Sequence, residues 1–364
     1  MRINNWRLWL GLGASTFFLV ILALSVDLEE TVAALKQANY GYIIPAIGLY
    51  FIAVYFRSVR WQFLLASLRS LPVNRLYPVV IIGYMANNLL PARLGELVRA
   101  YHLAQREKIS GSSALATIAI ERVYDGVALL AFAALSGPAL LLLGQFDSAS
   151  GTYRTTAIAV TMGVVAIFLL ALTVLTLATR PWFTRVLDLA LKAVPSPFRS
   201  KARELALRFI LGLAVLNSPR KQATVFLLSM PVWLMEGAMY LLVAYSFGIH
   251  TFFDSFWILL LVMLLLTATS NLATALPASI GGIGPFEVVA QQTLVALGVG
   301  ASVAAVYSGF LHVVALWLPV NLVGLVLLWK HNLSLKQLAD VPEPAGAGAS
   351  QGYQEVPRPN EEAW

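Results

Sequence analysis

The sequence predicts an all-α polytopic membrane protein of about six full transmembrane helices plus two re-entrant hairpins, eight hydrophobic segments arranged as an inverted-topology repeat. Three observations predict it. Of the 364 residues 59% are hydrophobic and only 12% charged, against about 25% charged in a soluble domain. Apolar runs of about 20 residues recur, the length that crosses a roughly 30 Å hydrocarbon core. Two further runs are broken by proline and glycine at similar places in the two halves. That pairing is a sequence pointer to a transporter's midplane site.

The first broken run is Asn87-Asn88-Leu89-Leu90-Pro91-Ala92-Arg93-Leu94-Gly95-Glu96. Pro91 removes a backbone donor and disfavours helix at Leu90. Arg93 and Glu96 are costly in hydrocarbon unless they pair or face a wet cavity. The second runs from Asn271 through Leu276-Pro277-Ala278-Ser279 to Gly281-Gly282-Ile283-Gly284-Pro285-Phe286-Glu287. Both read apolar run, Asn, Leu-Pro-Ala, glycine, glutamate.

Composition also excludes. With no cysteine, disulfides and thiolate chemistry are absent. The four histidines make no metal-ligand spacing, and no cofactor is implied. The net charge of +7 suits the positive-inside rule rather than nucleic acid.

In chain order, Arg2 and Arg7 precede an apolar run from Leu8 to Val26, read as an uncleaved first helix starting in the cytoplasm. The acidic link Asp27–Tyr40 suits the outside. Helix two runs from Gly41 to Phe56 and meets Arg57, Arg60 and Trp61 at the inner boundary, as interfacial anchors or as ligands. The Leu76–Leu90 run, its break, and a basic exit through Arg99, Arg106 and Lys108 give a cytoplasmic re-entrant hairpin at 76–109. Helix four, Ser112–Gly144, carries Glu121, Arg122, Tyr124 and Asp125 near mid-bilayer, with Arg122 and Asp125 three apart on one face. The first repeat closes at residue 155 and the second spans 156–336, opening with helix five to Thr179.

A basic link at 180–220 reads as amphipathic helices on anionic inner-leaflet lipid, or as a plain cytosolic loop. Helix six, Lys221–Phe247, carries Glu236; helix eight, Ser302–Trp329, ends on Lys330. Charge then requires the element at 255–298 to be an outer re-entrant one. Residues 337–364, rich in Pro, Gly, Ala and Glu, read as a disordered cytosolic tail. Both termini fall in the cytoplasm.

A helix that starts at mid-membrane aims its N–H groups and positive dipole end into the cavity. Such ends bind phosphate. Arg93 and Arg122, with Arg57, Arg60 and Arg99 nearer the inner rim, can add contacts to phosphate. Glu96, Glu121, Asp125, Glu236 and Glu287 offer counter-charges, a cationic headgroup site or proton-relay positions. Asn88, Asn271, Gly282 and Gly284 complete the candidate substrate-binding set at the two breaks. Against this, Arg122 and Asp125 can simply neutralise one another, and Glu96 and Glu287 can cap their own helices. His312 and Pro319 read as a satisfied polar residue and a kink, and the Trp and Tyr residues mostly as interface markers.

The blocks Arg57-Ser58-Val59-Arg60-Trp61, Asn88-Leu89-Leu90-Pro91-Ala92-Arg93-Leu94-Gly95-Glu96 with Arg99, Glu121-Arg122-Val123-Tyr124-Asp125, and Pro277–Glu287 resemble the lysylphosphatidylglycerol synthase transmembrane family, also called the flippase-like domain family. The resemblance extends to about Trp329 and implies a polytopic inner-membrane protein that moves lipids. Full-length synthases of that family add a soluble aminoacyl-transferase domain; no such stretch follows here, so aminoacyl transfer is not carried over. Other relatives belong to polyprenyl-linked sugar pathways, which makes a glycosylated isoprenoid phosphate an alternative cargo. Ser279 stands where the first break has Arg93, so the two breaks differ chemically.

The expected function is therefore a lipid flippase of the cytoplasmic membrane, carrying a phosphate-bearing lipid such as aminoacylated phosphatidylglycerol. Its partners are membrane phospholipid or polyprenyl-phosphate lipid and anionic inner-leaflet lipid; a homo-oligomer is left open. The rivals are a membrane-embedded transferase and a non-transporting scaffold for envelope assembly. No GxxxxGK[ST] loop occurs, which argues against ATP hydrolysis as the driving force.

Overall fold

The computed structural model describes residues 5–24, 26–66, 68–90, 94–109, 111–146, 219–274 and 280–330, with scattered positions between 155 and 203. Every regular element among them is helical. The chain runs α1 (Asn5–Leu24), α2 (Leu28–Gln37), α3 (Ile43–Leu65), α4 (Val73–Leu89), α5 (Gly95–Glu107) and α6 (Gly111–Leu142). It continues with α7 (Pro219–Ser246), α8 (Phe256–Ala273), α9 (Pro285–Ala296), α10 (Ala301–Phe310) and α11 (Leu318–Lys330). A π-helical segment, Leu311–Trp317, joins α10 to α11 without a break in direction of chain.

Among the described residues, five stretches are long and apolar enough to cross a membrane: Tyr40–Leu65, Ser113–Leu142, Pro219–Ser246, Phe256–Ala273 and Ala301–Lys330. All-helical construction is what a bilayer demands, because each segment satisfies its own backbone groups. Expected helix four, six and eight appear with ends shifted by a few residues. Most of helix five and of the link at 180–220, Arg93 with Pro91 and Ala92, Pro277 and Ser279, and the tail at 337–364 lie outside the described residues. Within the link, Asp188 pairs with Arg203 at 2.7 Å, a hydrogen bond that holds its carboxyl below the usual carboxylate range.

Three features differ from the sequence expectation. The outer link contains a helix, α2, started by Asp27, whose carboxylate accepts from the Glu29 and Glu30 amides at 2.8 and 3.0 Å. Helix two does not stop at Phe56: α3 continues to Leu65, with Arg60 and Trp61 fully buried. These are not boundary anchors, because α6 and α7 supply the acids that let the helix carry arginines inward. The third concerns α8, expected as the first arm of a hairpin, which at 18 residues is by length and composition able to cross on its own.

Helices α4 and α5 form an antiparallel hairpin whose register is readable from its contacts. Arg75 lies 3.6 Å from Glu107, and Asn87 Oδ1 accepts from the Gly95 amide at 2.8 Å. The two glycines let the backbones close up: a Cβ on Gly95 would fall 2.0 Å from the Gly83 carbonyl oxygen. Helices α8 and α9 pack together likewise, with Thr269 and Thr293 hydroxyls 3.1 Å apart. The most extensive contact is α3 on α7. Around it, α4 packs on α11 and α6 packs on α8. One large apolar core, including Tyr240, Tyr307, Phe286, Val80 and Met263, joins these helices.

Candidate functional site

The charged residues of the spans gather between the helices. From α3, Arg57 and Arg60 leave one face a single turn apart. Arg57 reaches Glu236 of α7 at 2.5 Å and donates to the Tyr84 hydroxyl of α4 at 3.1 Å. Its guanidinium also lies over the Trp233 ring, 4.7 Å from the centroid. Arg60 donates to Asp125 of α6 and to Ser229 of α7, each at 2.7 Å, and sits 3.6 Å from Glu121. Arg99 of α5 pairs with Glu121 at 2.7 Å and stacks 3.8 Å above the Trp61 ring. Arg122 of α6 stands between Glu96 at 3.4 Å and Asp125 at 3.5 Å, and donates to Tyr84 at 3.3 Å.

Four arginines thus meet four carboxylates, Arg57 with Glu236, Arg60 with Asp125, Arg99 with Glu121 and Arg122 with Glu96, while Arg60–Glu121 and Arg122–Asp125 contacts tie the last three pairs into one network. Balanced pairs are the form in which charges persist away from water. Arg122 and Glu96 differ from the rest in being about a third accessible, at 31% and 29% of their side-chain surface. The other three pairs are buried.

Above this network opens a cavity of about 460 Å³. Its walls include Arg57, Arg122, Asp125 and Glu236, and Tyr50, Tyr84, Trp233 and Leu129 beside them. Asn87 and Asn88 come from the end of α4 and Glu96 from the start of α5; Asn271 and Leu272 come from the end of α8, and Thr274, Gly281 and Gly282 from between α8 and α9. Phe286, His312, Leu316 and Trp317 close the far side. The two broken runs, almost 200 residues apart in the chain on the order of the sequence numbering, therefore face one cavity. Trp317 Nε1 is buried without a hydrogen-bond partner among the described residues.

Of the candidates named from sequence, Arg57, Asn88, Glu96, Arg122, Asp125, Glu236, Asn271 and Gly282 line this cavity. Arg60, Arg99 and Glu121 do not line it: Arg60 reaches it through Asp125, and Glu121 links Arg60 to Arg99. Gly284 faces elsewhere: at φ +102° it packs against α1, where a Cβ would stand 2.6 Å from that of Phe18. Glu287 stands behind His312, its Oε1 2.7 Å from Nδ1. Its other oxygen accepts from the Gly284 amide at 2.7 Å, which makes it a cap for α9.

Sequence reasoning aimed the free amides of both helix starts into the cavity. The leading amide of each is instead taken, Gly95 by Asn87 and Gly284 by Glu287. Tyr50, Tyr84, Trp233, Phe286, His312 and Trp317 were missed as lining. The signal available was their helical phase: Tyr84 lies one turn before Asn87 and Asn88, and Trp233 three residues before Glu236.

The comparisons with known proteins follow this geometry. The family described as lysylphosphatidylglycerol synthase TM region matches residues 8–323. A protein named glycosyltransferase AglD, from Haloferax volcanii, is 27% identical over 83% of this chain, and the match spans 50% of its own length. A UPF0104 membrane protein of Methanocaldococcus jannaschii is 28% identical over 40% of this chain and 43% of its own. The chain therefore spans about half or less of these two relatives. A UPF0104 membrane protein of Pyrococcus horikoshii is 25% identical over 86% of this chain and 94% of its own. No solved structure matches the chain.

Proposed function

We propose, from the premise that this chain belongs to the lysylphosphatidylglycerol synthase TM-region family, that it carries the headgroup of a phosphate-bearing lipid across the cytoplasmic membrane. The observation that supports this most is the cavity itself. It joins both broken runs to a wall of paired charges, with Arg122 and Glu96 partly accessible. A headgroup phosphate would exchange into the Arg122 and Arg57 pairs, which present planar guanidinium donors. Asn88, Asn271 and Trp317 would take uncharged polar groups of the headgroup, and the acyl or prenyl chains would remain in lipid.

The packing supports an inverted repeat as the carrier's framework. If α3, α4, α5 and α6 correspond to α7, α8, α9 and α10–α11, the most extensive contacts have counterparts. Helix α3 packs on its equivalent α7, while α6 on α8 mirrors α11 on α4. Hairpin α4–α5 mirrors α8–α9. Rocking one repeat against the other would expose the cavity alternately to the two sides. In this reading both hairpins are re-entrant, one from each face, and both termini are cytoplasmic.

A second reading is favoured by the relative named a glycosyltransferase: a membrane-embedded transferase or assembly factor for polyprenyl-phosphate-linked glycolipid. One experiment separates them. Purified protein in proteoliposomes is given fluorescent phosphatidylglycerol, lysyl-phosphatidylglycerol or polyprenyl-phosphate probes, and each probe's leaflet and mass are followed. Movement between leaflets with unchanged mass, lost in Arg122→Ala, supports carriage. Folded protein that moves none of them overturns it.

A further inference from the structure

Charge counting among the described residues around the cavity leaves one carboxylate over. Arg57, Arg60, Arg99 and Arg122 are matched one to one by Glu236, Asp125, Glu121 and Glu96. Glu287 is a fifth acid, 2% exposed, and no arginine or lysine among the described residues pairs with it. What it has is His312, 7% exposed, with Nδ1 at 2.7 Å, and the Gly284 amide. The pair is neutral only while it holds one proton beyond that of a neutral imidazole facing a carboxylate. Without that proton a net negative charge stays buried, which a low-dielectric site tolerates poorly.

We infer that Glu287 and His312 form a proton-binding site that couples proton movement to the lipid carriage proposed above, on which this inference rests. His312 lines the cavity, so its ring is the contact between the pair and the bound headgroup. The ring is held in a π-helical segment, Leu311–Trp317, and stacks on Phe286 at 4.3 Å. π-Segments are frequent at functional sites. The other end of the pair reaches a glycine-rich turn. Glu287 caps α9 through Gly284, and the turn before it holds Gly281, Gly282 and Gly284 all at positive φ. Proton gain or loss at the pair therefore changes the cap of the half-helix and the wall of the cavity together.

The other charged and titratable groups lining the cavity come from every side: Tyr50 and Arg57 of α3, Tyr84 of α4, Glu96 of α5, Arg122 and Asp125 of α6, and Glu236 of α7. Tyr240 of α7 also reaches the pair's neighbour, with its ring 6.3 Å from Phe286. Helix α8 presents Asn271 and Thr274, and α1 presents Ser15 and Phe18 at Gly284, none of which titrates. Each of these acids has its arginine. A proton handed over by water settles on His312 Nε2 or on the pair it makes with Glu287; an anionic headgroup in the cavity favours keeping it there, and it returns to water when the headgroup departs. The N–H forms as an O–H of the hydrated proton breaks, and the reverse on release; no other bond changes. The site cycles between one negative charge and none. A ligand shifts such an equilibrium by its differential affinity for the two states.

The test uses the full chain in proteoliposomes loaded with pyranine, with the same three fluorescent lipid probes. Coupling predicts that a gradient of about one pH unit shifts the steady-state leaflet ratio of the carried probe by up to about tenfold per proton. Pyranine reports proton movement only while that probe is present. Glu287→Gln and His312→Gln are expected to lower this lipid-dependent proton flux to the level of empty vesicles. If either single variant fails to fold, the double variant, which leaves a neutral hydrogen-bonded amide pair, is measured instead. Probe movement indifferent to the gradient, or proton flux retained in the variants, overturns the coupling and leaves carriage standing. Absence of any probe movement overturns both.

Discussion

Arg57 and Glu236 meet at 2.5 Å, 179 residues apart in sequence, where α3 lies along α7. Both are buried, and each is the other's nearest opposite charge. Removing one leaves the other stranded, whereas removing both returns an apolar contact. Glu236→Gln is therefore expected to lower stability by about 3–5 kcal/mol. The double variant Arg57→Met/Glu236→Leu should recover most of the loss. Thermal unfolding in detergent, followed by tryptophan fluorescence, measures both. Equal damage in single and double variants would contradict the pairing.

Arg122 and Glu96 are the contrasting pair. They are about a third accessible and 3.4 Å apart, so their mutual attraction is screened. Arg122→Ala is expected to change stability by no more than about 1 kcal/mol. Lipid movement should fall tenfold or more, because a charge-assisted hydrogen bond to phosphate is worth about 1.5–3 kcal/mol. Proteoliposome rates set against melting temperature give the comparison. A variant that loses both in proportion would make Arg122 a structural residue.

Arg99 stacks on Trp61 at 3.8 Å while it pairs with Glu121. A lysine keeps the charge but loses the planar face and the fork. Arg99→Lys should cost about 1–2 kcal/mol, accompanied by a red shift in tryptophan emission as the ring loses its cover. An unchanged spectrum and melting curve would show that the stack contributes nothing.

Two glycines in helices should respond oppositely to the same change. A Cβ on Gly95 meets the Gly83 carbonyl oxygen at 2.0 Å and the Asn87 amide at 2.6 Å. Gly95→Ala must push the hairpin apart, at about 1–3 kcal/mol. Gly48 of α3 is exposed with nothing within 4 Å, so Gly48→Ala should stabilise by about 0.5–1 kcal/mol through helix propensity alone. Melting temperatures of the two variants decide it.

Much of this was legible in the chain because hydrocarbon imposes a strong one-dimensional constraint. The long apolar spans could be read from length and hydropathy, since a helix must be apolar for about 20 residues to cross. The broken runs at Asn87–Glu96 and Asn271–Glu287 stood out for the same reason. The α2 helix was hidden, because ten residues of mixed polarity with a capping aspartate look like any outer link. Whether Arg57 and Arg60 are boundary anchors or ligands stays open in the sequence, because it gives the charge of an arginine but not the acid that will face it.

By itself, then, the sequence determined that this is an all-helical membrane protein, where its long crossings lie, and which polar residues stand out against apolar surroundings. Those facts follow from local composition, and the bilayer enforces them segment by segment. Only the tertiary structure decided that Arg57 takes Glu236, that Arg60 takes Asp125, that both broken runs line one cavity, and that Glu287 is left to His312. Partners in these pairs lie 25 to 179 residues apart. Coulomb attraction and hydrogen bonding act over a few ångströms, so only the helix packing that closes those distances selects which charges neutralise one another.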